Sequence, residues 1–350
     1  MKTVKIKISP DYEVKIAAGL LRRCGSLTVD LKKPCAVTLV SDDIVYNLYG
    51  ETVETSYKET GFSVATFVFP NGERSKNWGT VEKLLEFMAA RQITRSDLVV
   101  ALGGGVAGDL AGFAAAVYQR GVSYLQIPTT LLAAVDASVG GKTGVDLRAG
   151  KNLAGAFHQP LAVFCDPDAF KTLPRDVFND GLCEVIKYGC IGDESLLSLL
   201  LEGDINNKLT GIVAACAAMK GAIVMKDEFD LNERQLLNFG HTVGHAIEGL
   251  SGYSITHGRA VAMGMRIMAQ NAGCAGELLK VFSKYGINSA CPYTAGELAK
   301  KALADKKRSG GVITLVMLEK IGKAYLKKVD ISELEGVFAK GIGLGDGYQD

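Results

Sequence analysis

Charged and apolar residues alternate over 2–8 and again over 12–17, with Ser9-Pro10-Asp11 between them, which predicts a β-hairpin at the start of the chain. Residues 36–40 are a short apolar run ending in Ser41-Asp42-Asp43, a strand leading into a helix entry. Another strand spans 64–69 and closes at Pro70-Asn71-Gly72. Helical periodicity covers 78–91, and residues 98–102 read as a buried strand. A glycine-rich turn then leads into a helix reaching about Arg120, followed by a strand over 124–127. This alternation predicts an α/β fold with a Rossmann-like, wound, mostly parallel sheet. Beyond residue 166 the pattern becomes helical, at 176–190, 193–202, 208–227, 238–250, 257–280 and, shorter, near 296–304 and 331–340, interrupted by a strand pair at 312–318 and 323–329. The predicted division is an α/β domain over 1–166 and a mainly α-helical domain over 167–350, parted at Asp166-Pro167. No internal repeat or low-complexity tract is evident.

A length of 350 residues suits two domains, and 48% hydrophobic with 22% charged residues is ordinary for a globular protein. The formal net charge of +1 argues against a nucleic-acid partner or an anionic-membrane surface, so any anion binding must be local. The alternating first residues lack the apolar centre of a secretory signal, and no run of about 18 uninterrupted apolar residues predicts a membrane span. Eight cysteines (Cys24, Cys35, Cys165, Cys183, Cys190, Cys216, Cys274 and Cys291) form no Cys-x-x-Cys pair, which suits thiols in a reducing, cytoplasmic compartment.

Three of the four histidines are crowded together: His241 and His245 within Gly240-His241-Thr242-Val243-Gly244-His245-Ala246-Ile247-Glu248, and then His257. Four apart on a helix, His241 and His245 share a face with side chains about 5–6 Å apart, and Glu248 falls on the same stripe. Imidazoles with nearby carboxylates are what a borderline divalent ion such as zinc prefers. The alternative is a helix face whose histidines are satisfied by water or a core hydrogen bond. The crowding, with Gly240 and Gly244 clearing room beside it, favours a metal-centred site.

Gly103, Gly105 and Gly108 satisfy G-x-G-x-x-G between a strand and a helix. Backbone without Cβ can approach a pyrophosphate whose charge rests on N–H groups at the helix start. The ribose-binding acid expected about twenty residues later is missing, since Arg120-Gly121-Val122 stands there. A nucleotide would therefore bind with a geometry unlike the standard dinucleotide fold; the competing reading is a tight turn with close helix–strand packing. Gly140-Gly141-Lys142-Thr143 superficially resembles a phosphate loop but lacks the earlier glycine of a Walker motif. With Lys151 and Asn152 downstream, it suits phosphate or carboxylate contact equally with solvated surface lysines. Lys220 lies among Cys216, Ala217, Ile223 and Val224, so its ammonium must snorkel or meet an anion. Glu184 and Lys187, three apart, could be a surface ion pair worth tenths of a kcal/mol. Arg234 and Asn238 precede the histidine helix, and Asp305-Lys306-Lys307-Arg308 is a short basic run. Together these groups suggest a pocket for a multiply anionic, hydroxyl-rich small molecule.

The runs Gly104-Gly105-Val106-Ala107-Gly108-Asp109-Leu110-Ala111-Gly112-Phe113, Gln126-Ile127-Pro128-Thr129-Thr130-Leu131-Leu132-Ala133, Val139-Gly140-Gly141-Lys142-Thr143-Gly144, Glu184-Val185-Ile186-Lys187-Tyr188-Gly189, Leu237-Asn238-Phe239-Gly240-His241 through Glu248, and Asp305-Lys306-Lys307 resemble the 3-dehydroquinate synthase family of sugar phosphate cyclases, in order across nearly the whole chain. The resemblance implies a dehydroquinate synthase-like fold and a cytoplasmic homodimer using NAD and a zinc or cobalt ion in the shikimate pathway. It implies Glu184, His241 and His257 as metal ligands, and moves His245 from the metal to the substrate. Asp136, Lys142, Asn152, Lys187, Lys220, Arg234, Asn238, His245 and Lys306 or Lys307 would hold the substrate, with Lys142, Asn152 and His245 steering the chemistry. Arg120 would reach the neighbouring subunit's substrate. NAD contacts would come from Asp42, Glu73, Lys76, Gly104, Gly105, Val106, Asp109, Thr129, Thr130, Asp136, Lys142, Lys151 and Thr172. Asp146, Cys183 and Arg259 depart from the family pattern, and Arg259 stands two residues from a proposed ligand.

The implied reaction converts 3-deoxy-D-arabino-heptulosonate 7-phosphate to 3-dehydroquinate and phosphate. Two other classes remain to be separated from it: a metal-dependent polyol or alcohol dehydrogenase, which would need fewer anion-binding lysines, and a non-catalytic ligand sensor, which the loss of a ligand or lysine would favour.

Overall fold

Strands β1 (Lys2–Ile6) and β2 (Tyr12–Ile16) form the hairpin that the alternation predicts, with Val4 opposite Val14. Strands β3 (Ala36–Asp42), β4 (Ser63–Phe69), β5 (Leu98–Gly103) and β6 (Ser123–Pro128) run parallel in the same sheet. Every residue of β5 is buried, as expected for a parallel strand covered on both faces. Strands β7 (Lys142–Leu147) and β8 (Gly150–Phe157) pair as a separate antiparallel hairpin where the sequence suggests only a glycine- and lysine-rich loop. Strand β9 (Ala162–Cys165) completes a seven-stranded sheet of order β1-β2-β9-β6-β5-β3-β4.

The computed structural model describes residues 1–305 and 311–342, which divide into two units. The first comprises Met1–Pro174 and Leu209–Phe229; the second comprises Arg175–Lys208 and the described residues from Asp230 onward. A single cut at Asp166-Pro167 would place helix Leu209–Lys226 with the second domain, whereas it belongs to the first unit, packed on β1 and β2. By length and composition this helix could cross a membrane. Its position against the sheet instead gives it the character of a core helix.

In the first unit Val40, Phe69, Val81, Leu84, Met88, Val99 and Leu110 pack into one apolar cluster that holds helices Trp78–Ala90 and Gly105–Val117 on the sheet. The order of strands reverses beside β3. The chain moves outward from β3 to β4, then returns to the other side of β3 to make β5. The carboxyl ends of β3 and β5 therefore flank a topological switch point, where open α/β sheets leave a crevice.

The second unit is built from helices Arg175–Ile191, Ser195–Leu201, His241–Leu250, His257–Gln270, Ala275–Tyr285, Ala295–Asp305 and Leu334–Ile342. Strands β10 (Val312–Lys320) and β11 (Lys323–Asp330) form its hairpin. The single helix expected over 257–280 is two, because the chain turns at Gly273 (φ 70°) and Cys274 N–H closes on the Ala269 carbonyl at 3.0 Å. The histidine helix begins at His241 rather than 238, after Gly240 in the left-handed region (φ 77°). Helices His241–Leu250 and His257–Gln270 lie backbone to backbone: a Cβ at Gly264 would fall 2.0 Å from the Gly240 carbonyl oxygen.

Candidate active site

The glycine turn sits where β5 ends. Gly104 is the N-cap of helix Gly105–Val117, and Gly104, Gly105 and Val106 are half-buried, so the first amides are partly open to solvent. Gly108 serves packing, since a Cβ there would fall 2.6 Å from Gln126 Oε1. The packing reading thus holds at Gly108, while Gly104 and Gly105 keep the position that the nucleotide reading needs. Asp42 ends β3 across the switch point and its carboxylate accepts from Val45 N–H at 3.0 Å. Thr129 and Thr130 follow β6. The Thr129 hydroxyl is 2% exposed and has no hydrogen-bond partner among the described residues. An orphaned buried donor beside a half-open helix start fits a phosphate-bearing ligand.

Lys76 joins three segments of this unit: its ammonium lies 2.6 Å from Asp109 Oδ2 and donates to Asn152 Oδ1 at 2.6 Å. Burial works to lower its pKa, but the Asp109 carboxylate outweighs it and raises the value. Asn152 holds a left-handed conformation (φ 56°) on β8, with its N–H donated to Asp146 at 2.8 Å. Asp146 therefore shapes the hairpin tip. Lys142 and Asn152 are exposed and Lys151 half-buried; Glu73 is exposed on the turn before Lys76. Thr172 places its hydroxyl 2.5 Å from that of Tyr49. Arg120 is exposed with φ 66°. Lys220 is buried and meets its anion: Nζ lies 3.0 Å from Asp136 Oδ1 and donates to the Asp136 carbonyl at 2.7 Å.

In the second unit Glu184, His241 and His257 each offer a ligand atom, all within 4.8 Å of one another. His241 Nε2 and His257 Nε2 lie 3.5 and 3.6 Å from Glu184 Oε1. A tetrahedral ion with bonds of about 2.0–2.1 Å needs ligand edges of about 3.4 Å, so the three groups fit a divalent cation of the zinc type. The protons are set by outer partners. His241 Nδ1 faces the Phe239 carbonyl at 3.1 Å, which can only accept, so Nδ1 carries the hydrogen and Nε2 the lone pair. His257 Nδ1 faces Glu248 Oε2 at 3.4 Å. Glu184 and Lys187 are not a surface pair: both are buried and in salt-bridge contact.

The spacing that pairs His241 with His245 is corrected here. Their rings are 5.5 Å apart, but His241 converges with Glu184 and His257, while His245 falls into a second group with Glu248 and His257. His245 is exposed, Arg234 buried, and Asn238 exposed at the end of the turn before His241. Arg259 points outward, with Nε donating to the Asn288 carbonyl at 3.4 Å. Lys306 and Lys307 lie outside the described residues. No local pattern marked Glu248 as the partner of His257 or Asp180 as a neighbour of Thr256; both are contacts between separate helices.

Burial lowers the His241 pKa to about 3, with Lys187 reinforcing the effect against the pull of Glu184. For His257 burial also opposes the charge, but hydrogen bonds to Glu184 and Glu248 outweigh it and raise the value to about 10. The stabilisation from the protonated ring is complete below the unfolded value of 6.5 and is lost as pH rises through about 10. A cation taking His257 must displace that proton. Metal uptake near pH 8 should therefore release about one proton, read by calorimetry in buffers of different ionisation enthalpy. Heats independent of buffer would contradict a protonated His257.

A glycine turn at a switch point in one unit and an acid–imidazole cluster in the other are the equipment of an enzyme that uses a nucleotide and a divalent metal. Residues 66–180 match the family model for the 3-dehydroquinate synthase N-terminal domain, and residues 181–308 that for its C-terminal domain. The 3-dehydroquinate synthases of Clostridium acetobutylicum and Streptococcus suis are 41% and 40% identical to the chain, each over 95% of it and 98% of the relative. Among solved structures, 2-epi-5-epi-valiolone synthase from Streptomyces hygroscopicus with NAD⁺ and Zn²⁺ bound has a TM-score of 0.83 and 26% identity, covering 93% of this chain and 95% of its own. The chain belongs to the 3-dehydroquinate synthase family.

Proposed function

We propose that the protein converts 3-deoxy-D-arabino-heptulosonate 7-phosphate to 3-dehydroquinate and inorganic phosphate, an early step toward aromatic amino acids. The observation that carries this reading is the convergence of Glu184, His241 and His257 beside Lys187, in a chain of this family. The reaction oxidises one carbinol for a time, eliminates phosphate, restores the carbinol and closes the ring by an intramolecular aldol step. When bound, NAD supplies the reversible oxidation, and a zinc or cobalt ion makes a vicinal hydroxyl easier to oxidise.

Glu184, His241 and His257 would hold the ion, with Lys187 offsetting the Glu184 charge. Arg234, Asn238 and the exposed His245 of the second unit suit anionic and hydroxyl groups of the substrate, as would Lys306 or Lys307. In the first unit Asp42, Glu73, Lys76, Gly104, Gly105, Val106, Asp109, Thr129, Thr130, Lys151 and Thr172 are the nucleotide candidates. Asp136, Lys142, Asn152 and Lys220 are that unit's remaining candidates, Asp136 and Lys142 for nucleotide as well as substrate. A homodimer, with Arg120 serving the neighbouring subunit, and a cytoplasmic location complete the reading; free cysteines throughout support the latter.

Phosphate release from the seven-carbon sugar acid should need both NAD⁺ and a divalent ion, with no net NADH. A polyol or alcohol dehydrogenase would accumulate NADH with its alcohol, and a ligand sensor would release no phosphate. His245→Ala should lower turnover about 10²–10³-fold while metal content stays at the wild-type level. Loss of metal from that variant would return His245 to the ligand set.

A further inference from the structure

Helix His257–Gln270 starts without a cap of its own. Thr256 occupies the N-cap position, and its side chain makes no bond to the first turn. Its hydroxyl donates instead to Asp180 Oδ1, at 2.6 Å. Asp180 belongs to helix Arg175–Ile191, one turn before Glu184 on the same face. The two helices touch at this point: a Cβ at Gly258 would fall 2.3 Å from Asp180 Cα and 2.7 Å from its Oδ1. The bond therefore fixes the register between the helix that carries Glu184 and the first residue of the helix that carries His257.

Register places the His257 backbone but leaves its ring free to rotate. Glu248, 5% exposed on helix His241–Leu250, lies with Oε2 3.4 Å from His257 Nδ1, while Nε2 faces Glu184 Oε1 at 3.6 Å. A carboxylate accepting from Nδ1–H sets the ring plane, keeps Nε2 turned toward Glu184, and holds the Nδ1 hydrogen in place when Nε2 gives up its own proton to an ion. One carboxylate thus sets where His257 stands and the other how it is turned.

We propose that Asp180 and Glu248 are positioning residues for His257, which set the affinity of the divalent ion without touching it. This rests on Glu184, His241 and His257 being the ligands. Glu248 has a competing role, because it also groups with His245 and His257 in a triangle that could itself take a cation. The two roles differ in what substitution does. Losing a ligand abolishes binding, whereas losing a partner of a ligand weakens it about 10–100-fold.

The test uses the full purified chain. Zn²⁺ affinity is measured by competition with a chromophoric chelator, and the Co²⁺-loaded protein is examined by absorption spectroscopy, for the wild type, Glu248→Gln, Asp180→Ala and Thr256→Val, with Glu184→Gln as the ligand control. Thr256→Val breaks the interhelical bond from its other end, should Asp180→Ala fail to fold. Glu248→Gln should bind Zn²⁺ about 10–100-fold more weakly, and Asp180→Ala and Thr256→Val about tenfold. The Co²⁺ spectra should keep the wild-type coordination pattern, because all three ligands remain. Affinities within twofold of wild type in all three variants would overturn the proposal, as would loss of metal in Glu248→Gln as complete as in Glu184→Gln. If Glu184→Gln itself keeps full affinity, the ligand assignment fails first and the positioning roles with it.

Discussion

Substituting alanine for Gly264 is expected to lower the melting temperature by about 5–10 °C and to weaken divalent metal binding more than about 100-fold. The added Cβ would stand 2.0 Å from the Gly240 carbonyl oxygen and 3.0 Å from Gly244 N, all backbone atoms that no rotamer change can move. Relief demands that helices His241–Leu250 and His257–Gln270 separate by more than an ångström. Overpacking of this kind costs about 1–3 kcal/mol or more, and each kcal/mol is worth about 2–4 °C in a unit of this size. The same separation pulls His257 from His241, whose ring centroids now lie 5.3 Å apart. Calorimetry and chelator competition on the purified variant read both effects. A variant that melts within a degree of wild type and keeps its metal would mean that the helices do not approach as described.

Lys187→Met should destabilise the metal-free protein by about 3–5 kcal/mol, and added Zn²⁺ should recover most of that loss. The Lys187 ammonium and the Glu184 carboxylate are 2% and 1% exposed. Breaking a buried ion pair from one side leaves the Glu184 carboxylate, far from water, to the protonated His257 at 3.6 Å, which is why the cost exceeds that of losing a surface pair. A bound cation would compensate Glu184 in place of the missing ammonium, so the wild-type and variant melting curves should converge as metal is added. Thermal melts with chelator and with excess zinc decide it. Equal stability of the two metal-free proteins would show that the carboxylate carries no charge there, or reaches water by another route.

Local periodicity made most of the sheet legible. Alternation over 2–8 and 12–17, and the unbroken apolar run at 98–102, record one-faced and two-faced burial directly. The hairpin β7–β8 escaped because its residues, Lys142, Gly144, Gly150, Lys151 and Gly155 among them, give little apolar contrast; its backbone pairing is joined by bonds from the Thr143 hydroxyl to the Ala156 carbonyl and from Asn152 N–H to Asp146. The histidine cluster was legible as a cluster but not as a ligand set. Spacing shows which residues share a helix face, and it favoured His241 with His245; it cannot show that Glu184 arrives from another helix. Gly240 and Gly244 were read as making room for the imidazoles. They make room for the neighbouring helix, at Met265 and Val261, and the imidazoles meet as a consequence. Lys220 was the most informative single residue, since a cation on an apolar stripe requires an anion, and Asp136 is there.

Helix Leu209–Lys226 completes the first unit although the segments on either side of it belong to the second. The polypeptide therefore passes from one unit to the other at 174/175, 208/209 and 229/230. During synthesis Ile6, which lies against Gly221 of that helix, lacks this cover until residues 209–229 have left the ribosome. A fragment ending at Pro174 would remain in that unfinished state, and no single cut leaves both units whole.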